Sequence, residues 1–213
     1  MTKQEIAEIL LSSKAVTLNP DKPFTYASGI KSPIYCDNRL LLSDVDARRK
    51  IVDAFEEMFK ENGITFDIVA GTATAGIPWG AWVAEEENAP FIYARSNKKD
   101  HGKKNKIEGK IEKGKKALVI EDLISTGGSS VNAVDAVKHA GAEVDTCAAI
   151  FTYEMKKAEE RFARINCNIL ALTDFSTLIE VAVSRKYITK KQAGVVKEWN
   201  KDPEGWGKKY GHY

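Results

Sequence analysis

The chain has 213 residues, 43% of them hydrophobic and 29% charged, with a formal net charge of +2. This composition is typical of a globular protein with one sizeable core, and the small net charge argues against nucleic acid or a membrane surface as a partner. No apolar stretch approaches the roughly 18–20 residues of a membrane span, and the three scattered cysteines support neither a disulfide framework nor a zinc site. The amino terminus lacks the order of a signal peptide, so we expect a soluble cytoplasmic protein.

The first sixty residues contain two predicted helices and an irregular stretch between them. Thr2 and Glu5 have the spacing of a capping box, which predicts a helix from this point. Residues 16–39 combine prolines with short β-type runs and predict a small irregular β segment, called the hood below. Ser43 is then the predicted cap of a second helix, which ends at Asn62.

Beyond residue 66, short apolar runs alternate with helical stretches. The alternation predicts an α/β fold with a mostly parallel sheet covered by helices on both faces. Ligands of such sheets bind beyond the carboxyl ends of the strands, so the loops that follow the runs are the places to look for chemistry. The apolar runs are 67–70, 90–94, 117–120, 144–151 and 169–172.

The same pattern divides the chain into three parts. Residues 1–42 are expected to form an amino-terminal helix and the hood, and residues 43–200 the core. Residues 201–213 are polar and contain proline and glycine, which predicts a tail that frays.

One predicted strand leads directly into two acids and then into a turn of small residues. After Glu121 and Asp122 comes the turn 125–129, called the cradle below, at the start of a predicted helix. Free N–H groups at a helix start favour an anion, and glycine lets the backbone approach a phosphate monoester closely. The two carboxylates could accept hydrogen bonds from vicinal hydroxyls, as on a ribose, or help to hold a metal. A plain helix cap with solvated acids is the alternative. A Walker loop is excluded because no Gly-Lys-Ser/Thr closes the turn, and a dinucleotide fingerprint is excluded by the glycine spacing.

Two further loops follow predicted strands. Residues 71–76 are small, so their backbone amides could wrap an anion, although taken alone they favour a plain tight strand–helix turn. Residues 95–106 are the most charged stretch of the chain, and Lys103, Lys104 and Lys106 are explained by a solvated surface. A nucleic-acid patch is disfavoured because the net charge is low and aromatic residues are not interleaved.

The segment 119–129 resembles the signature of type I phosphoribosyltransferases, in which hydrophobic residues, two acids, hydrophobic residues and Thr-Gly-Gly follow one another. The family's first acid is often Asp, and here it is Glu121. The resemblance implies the type I phosphoribosyltransferase fold and a phosphoribosyl pyrophosphate (PRPP) site, with the acids on the ribose hydroxyls and the cradle around the 5-phosphate. The PRPP-binding residues implied within this segment are Glu121, Asp122, Leu123, Ile124, Ser125, Thr126, Gly127, Gly128 and Ser129. Residues 71–76 resemble the family's pyrophosphate loop.

The basic stretch resembles the catalytic loop of orotate phosphoribosyltransferases at Arg95, Lys99 and His101, with Ser96 where many relatives have Lys. The resemblance implies that these three residues bind PRPP and act in catalysis. Arg95 and Lys99, with Mg²⁺, would offset charge on the leaving diphosphate, and His101 would donate a hydrogen bond or a proton. It also implies a homodimer, because in the family this loop closes over the neighbouring subunit's diphosphate.

Residues 24–39, and the chain as a whole through residue 175, resemble orotate phosphoribosyltransferases of Bacillus-like bacteria. The resemblance implies transfer of ribose 5-phosphate from PRPP to orotate, giving orotidine 5′-phosphate and pyrophosphate in pyrimidine biosynthesis. It keeps Ser125 as an orotate contact. Two familiar orotate contacts are missing: Ala27 stands where many relatives have Lys, with Lys31 the candidate substitute, and no Arg lies near Tyr153.

Two other functions are alternatives at this stage. A purine-base phosphoribosyltransferase would share the cradle but not the hood or the Arg-Lys-His loop. A regulator that only senses PRPP would usually add a DNA-binding domain, for which this chain has no room. The hood and the three basic residues therefore favour turnover of orotate.

Overall fold

A computed structural model describes residues 1–95 and 106–211 of the chain. The helices of these residues are α1 (Lys3–Ser12), α2 (Val45–Glu61), α3 (Gly76–Glu86), α4 (Gly128–His139), α5 (Lys156–Arg164), α6 (Phe175–Ser184), α7 (Lys190–Lys201) and α8 (Pro203–Lys209), with a 3-10 helix at Asn38–Ser43. The strands are β1 (Val16–Leu18), β2 (Phe24–Thr25), β3 (Lys31–Ser32), β4 (Ile34–Cys36), β5 (Ile68–Thr72), β6 (Phe91–Ala94), β7 (Ile107–Glu108), β8 (Ala117–Ile124), β9 (Thr146–Thr152) and β10 (Asn168–Asp174). No helix in the described ranges has the length and apolar content needed to cross a membrane.

The predicted α/β fold with a mostly parallel sheet is confirmed. The main sheet of the described residues has the strand order β10-β9-β8-β5-β6-β7, in which every neighbouring pair is parallel except β6 and β7. Its central strands are buried on both faces, and one apolar cluster lies on each side of the sheet, around Trp79 and around Val134. The carboxyl ends of β5, β6, β8 and β9 therefore meet at one edge, where the predicted loops begin.

The hood is a pair of short antiparallel ladders, as predicted for an irregular β segment. Strand β1 pairs with β4, and β2 pairs with β3. The side chain of Asn38, which is fully buried, donates from Nδ2 to the carbonyl of Asp122 at 2.7 Å. This bond joins the base of the hood directly to the strand that carries the acidic pair.

Helix α2 begins one residue later than expected. The predicted cap at Ser43 is wrong, because Ser43 ends the 3-10 helix and Asp44 takes the N-cap position, with Oδ1 accepting from the Ala47 N–H at 3.0 Å. Both side chains can cap a helix, so the 3-10 turn before them decides which one does. The predicted end of the helix at Asn62 is confirmed.

Strand β8 is longer than the predicted run 117–120, and the acidic pair lies within it rather than in a loop. Successive side chains of a strand point to opposite faces of the sheet. Glu121 is accordingly only 5% exposed, whereas Asp122 is half-buried. The two acids therefore have different surroundings although they are neighbours in sequence.

The prediction that the carboxyl-terminal tail frays is wrong for residues 203–209. Asp202 caps α8 by accepting from the Gly205 N–H at 3.0 Å, and Pro203 is placed at the helix start, where it needs no hydrogen-bond donor. Trp206 is 2% exposed, and its Nε1 donates to the carbonyl of Val195 at 3.0 Å. One buried tryptophan thus holds a polar segment on the core.

Candidate functional site

The cradle is built around a left-handed glycine. Gly127 is the N-cap of α4 with φ 74°, and within the described residues no side chain caps the first turn of this helix. The first amides of α4 are therefore left for a ligand, and the helix dipole adds positive potential at the same point. Ser125 and Thr126 are half-buried beside these amides, and Ser129 is exposed. This arrangement suits a phosphate group.

A guanidinium group that the sequence did not point to holds the cradle in place. Arg161 on α5 donates from Nη1 to the carbonyl of Thr126 at 2.8 Å and lies 3.3 Å from its Oγ1. Arg161 also lies against Gly128, where a Cβ atom would come within 3.0 Å of Nη1. Arg161 therefore fixes the turn and brings a positive charge to it. No motif links it to Thr126, because the two are 35 positions apart on different elements.

The carboxyl group of Glu121 lies inside a small hydrogen-bond network. Its Oε1 accepts from Thr72 Oγ1 at 2.5 Å and from the Asp122 N–H at 3.1 Å, and its Oε2 accepts from Ser130 Oγ at 3.0 Å. Burial, with the nearby charge of Asp122, raises the pKa of Glu121 from 4.5 to about 8. The group is therefore largely protonated at neutral pH.

Asp122 has the more accessible carboxylate of the pair. It is half-buried, and desolvation raises its pKa above the ordinary value. Mg²⁺ is usually held by one or two carboxylates together with substrate phosphate oxygens. Asp122 fits such a role, and within the described ranges no cluster of three or more His, Cys, Asp or Glu side chains could hold a metal. A magnesium ion would accordingly be shared with a phosphorylated ligand.

The small-residue loop 71–76 lies directly beside the acidic pair. Thr72 Oγ1 donates to Glu121, and a Cβ atom on Gly76 would meet the Ile120 carbonyl at 2.5 Å. The peptide bond between Ala73 and Thr74 is cis. Helix α3, like α4, has no side-chain cap within the described residues, and its first turn begins at this edge of the sheet. The structure thus brings the two predicted anion loops together.

Arg95 stands at the same edge, immediately after β6. Its neighbour Ala94 accepts a hydrogen bond from the Ala73 N–H at 2.8 Å, which places Arg95 next to the loop 71–76. The Arg95 guanidinium forms an ion pair with Glu108 at 3.2 Å, and both side chains are about 30% exposed or less. The other predicted residues of this stretch, Lys99 and His101, lie outside the described residues.

Leu123 and Ile124 occupy the last two positions of β8. The side chain of Ile124 is fully buried, so only its backbone can reach a ligand. The Ile124 carbonyl accepts from the Tyr153 N–H at 2.9 Å, which fixes the end of β9 beside the cradle. Lys31, the candidate substitute for a missing lysine, donates from Nζ to Thr25 Oγ1 at 3.1 Å within the hood.

A cleft of about 710 Å³ opens beside the cradle. Ser125 and Thr126 form one wall, and Tyr26 and Ser28 of the hood form another. Its volume lies in the range of roughly 300–1,000 Å³ that is typical of small-molecule sites. The cradle and the cleft together can hold a phosphorylated sugar next to a second small molecule.

Comparisons with known proteins agree with this geometry. Residues 42–180 match the model of the phosphoribosyl transferase domain. A curated relative from Listeria innocua, named orotate phosphoribosyltransferase, is 52% identical over 206 residues, which are 97% of this chain and 99% of that protein. A protein of the same name from Coxiella burnetii is 51% identical over 95% of this chain and 97% of its own length.

Solved structures give the same result for the fold. The crystal structure of orotate phosphoribosyltransferase from Aeropyrum pernix superposes with a TM-score of 0.75 at 27% identity, over 86% of this chain and 99% of that one. Leishmania donovani UMP synthase superposes with a TM-score of 0.78 at 26% identity. That match covers 94% of this chain but 42% of the synthase, so the similarity extends to one part of a longer protein.

Proposed function

We infer that the chain, which belongs to the orotate phosphoribosyltransferase family, transfers the ribose 5-phosphate of PRPP to orotate, releasing pyrophosphate and forming orotidine 5′-phosphate in pyrimidine biosynthesis. The observation that carries the inference is the cradle, where uncapped amides of α4 follow an acidic pair. It occurs in a chain that is about half identical, over nearly its full length, to curated relatives of that name. The cleft beside the cradle supplies space for the acceptor base.

The donor's ribose 5-phosphate is assigned to the end of β8 and the cradle. The 5-phosphate accepts hydrogen bonds from the amides and hydroxyls of residues 125–129, an anion site at a helix start. The carboxylate of Asp122, which is half-buried, accepts hydrogen bonds from the ribose hydroxyls. Glu121 supports this contact from beneath, because its own carboxyl is bound by Thr72 and Ser130. The backbone of Leu123 and Ile124 completes the assigned donor site.

The diphosphate is assigned to the loop 71–76 and to Arg95, Lys99 and His101. As the bond between C1 of the ribose and the diphosphate oxygen breaks, negative charge grows on the leaving group and positive charge on the ring. The guanidinium and ammonium groups of Arg95 and Lys99 stabilise the first of these charges, and His101 donates a hydrogen bond to it. Mg²⁺, held by Asp122 and the substrate's own phosphate oxygens, would supply further neutralisation of the diphosphate when bound.

The acceptor is assigned to the cleft, with Ser125 as an orotate contact. Ser125 is half-buried and lines both the cradle and the cleft, so its hydroxyl can reach a base placed next to C1 of the ribose. The base nitrogen forms the new bond to C1 as the bond from C1 to the diphosphate oxygen breaks, and the nitrogen gives up its proton to water. The hood within residues 1–42 thus forms a wall of the acceptor site, which lies next to the donor site formed by residues 43–200.

A homodimer in the cytoplasm is proposed as the working unit. Three exposed large hydrophobic side chains, Tyr35, Leu40 and Val45, lie within eleven positions of one another, which supports self-association through this segment. The basic loop of one subunit would then act on the diphosphate bound by its partner. The cysteines are all free thiols, which supports a reducing compartment.

The reaction is tested by the absorbance of orotate. Purified protein with orotate and Mg²⁺ should lose this absorbance when PRPP is added, and omission of Mg²⁺ should slow the loss. The matched control replaces orotate with adenine or hypoxanthine. Turnover of a purine base without turnover of orotate would reject the assignment.

A further inference from the structure

The cleft has a third wall, formed by the carboxyl-terminal helices. Trp199, Asn200 and Lys201 at the end of α7 line it, followed by Pro203 at the start of α8. Both α7 and α8 lie beyond residues 42–180, the part that matches the domain shared by phosphoribosyltransferases. The hood strands β1–β4 also lie outside that part. The cleft is therefore lined by both segments that the shared domain does not include, together with Ser125, Thr126 and residues 153–157 of that domain.

Trp199 connects α7 to the hood. Its side chain is 1% exposed, and Nε1 donates to the carbonyl of Lys31 on β3 at 3.1 Å. Its ring meets that of Tyr26 edge to face, with centroids 6.3 Å apart. Tyr26 donates from its hydroxyl to the Ile34 carbonyl at 2.8 Å. Contacts with α7 thus fix the position of the hood relative to the cleft.

Asn200 connects the same helix to the strand end beside the cradle. Its Nδ2 donates to the carbonyl of Tyr153 at 2.8 Å. Tyr153 in turn donates its backbone N–H to Ile124, the last residue of β8, and its hydroxyl lies 3.4 Å from that of Tyr26. Adjacent residues of α7 therefore hold the hood and the end of β9 at a fixed separation.

We propose that α7 and α8 form the third wall of the acceptor subsite, and that Trp199 and Asn200 are positioning residues that set the width of this subsite for a planar, carboxylate-bearing base. The proposal rests on the assignment of orotate as the acceptor. None of these groups is among the residues assigned to the donor, and their link to it runs through the hydrogen bond from the Tyr153 N–H to Ile124, so changes in α7 should act mainly on the acceptor. The wall carries charges of both signs, since the exposed side chains of Lys201, Asp202 and Glu204 all line the cleft, and Lys201 is the residue of this wall that can attract the carboxylate of the base.

The first test replaces Asn200 by alanine and measures kcat and both KM values. Loss of one hydrogen bond of about 0.5–1.5 kcal/mol corresponds to roughly a two- to tenfold effect, expected in the KM for orotate with the KM for PRPP unchanged. Lys197→Ala, at an exposed position of the same helix, is the matched control. Equal changes in both KM values, or no change in either, would overturn the positioning role.

The second test places a bulky side chain in the cleft and leaves the buried residues unchanged. Lys201→Trp should raise the KM for orotate by about tenfold or more, since a bulky ring at an exposed wall position takes space from the base. Lys208→Trp, an exposed position outside the cleft, is its control. If wild-type protein does not consume orotate, the proposed function itself fails. If wild type turns over and Lys201→Trp retains a normal KM for orotate, only the role of the helices is rejected.

Discussion

Glu121 shows how a single residue can belong to a binding motif and yet be shielded from solvent. The Thr72 hydroxyl has one hydrogen and two acceptors in reach, the Ile120 carbonyl at 3.2 Å and Glu121 Oε1 at 2.5 Å. The hydrogen bond that Thr72 donates to Oε1 favours the charged form of Glu121 and lowers its pKa, whereas burial and the nearby charge of Asp122 raise the pKa by more, so the net shift is upward.

This pKa makes stability depend on pH in a defined direction. Because burial raises the pKa of Glu121 from 4.5 to about 8, the folded protein keeps a proton between these values that the unfolded chain releases. Unfolding is therefore favoured as pH rises through this window, by up to about 1.4 kcal/mol per pH unit. Glu121→Gln removes the titration and keeps the shape. The unfolding free energy of wild type, measured with urea from pH 5 to pH 8 without ligands, should fall more steeply than that of the variant. Parallel slopes would contradict the assigned protonation.

The difference between Glu121 and Asp122 was not predictable from their adjacency. The sequence indicated two acids after a strand and thus two equivalent ligands. The apolar residues Leu123 and Ile124 after the acids were the available signal that the strand continues. Once the strand extends to Ile124, alternation sends one acid inward and leaves the other half-exposed. The buried Glu121 and the half-buried Asp122 therefore have different roles.

At the scale of elements, the start of α3 requires a glycine at position 76. Gly76 packs where a Cβ atom would meet both Thr72 Oγ1 and the Ile120 carbonyl, and backbone cannot move aside cheaply. Gly76→Ala should lower the unfolding free energy by about 1–3 kcal/mol through overpacking, and should raise the KM for PRPP by displacing the loop 71–76. Urea denaturation and initial rates at varied PRPP measure the two effects.

The control for this substitution lies in another helix. Gly194 is within α7, and a Cβ atom there would meet nothing within 4 Å. Gly194→Ala should raise the unfolding free energy by about 0.5–1 kcal/mol, since alanine is the better helix former. Similar changes in the unfolding free energy for Gly76→Ala and Gly194→Ala would show that the close packing around Gly76 does not affect stability.

Element order was the part of the fold most accessible from sequence, and the carboxyl-terminal helices the least. Alternating apolar runs predicted the parallel sheet because its buried strands leave a strong periodic signal. Residues 203–209 show no periodic hydrophobic pattern, since the one large buried side chain that packs them on the core is that of Trp206. Arg161 was missed for a similar reason, because its contact with Thr126 exists only in three dimensions. The cradle could be predicted because its glycines follow the acidic pair closely in the sequence.

At the scale of the whole molecule, the donor site of one chain is proposed to be completed by the basic loop of another. The edge that holds the cradle also carries Arg95, beyond which the loop continues outside the described residues. The segment with the exposed hydrophobic side chains, residues 35–45, adjoins this edge, because the Tyr35 ring is 6.2 Å from that of Tyr26 in the cleft wall and Asn38 binds the Asp122 carbonyl. A dimer formed through this segment would therefore bring the two subunits together near the cleft.

Subunit mixing distinguishes action across the dimer from action within a chain. Lys99→Ala should lower kcat by about 100-fold or more, because it removes charge stabilisation of the leaving diphosphate, and Asp122→Asn should disable the donor site. Each variant alone should unfold at a similar urea concentration to wild type. If the loop acts on the partner, refolding the two variants together gives mixed dimers with one intact site, so about a quarter of wild-type activity should return for random pairing. Each variant refolded alone is the control. If activity stays at the sum of the separate variants, Lys99 acts on its own chain's diphosphate or the protein is not a dimer, and size-exclusion chromatography separates these two outcomes.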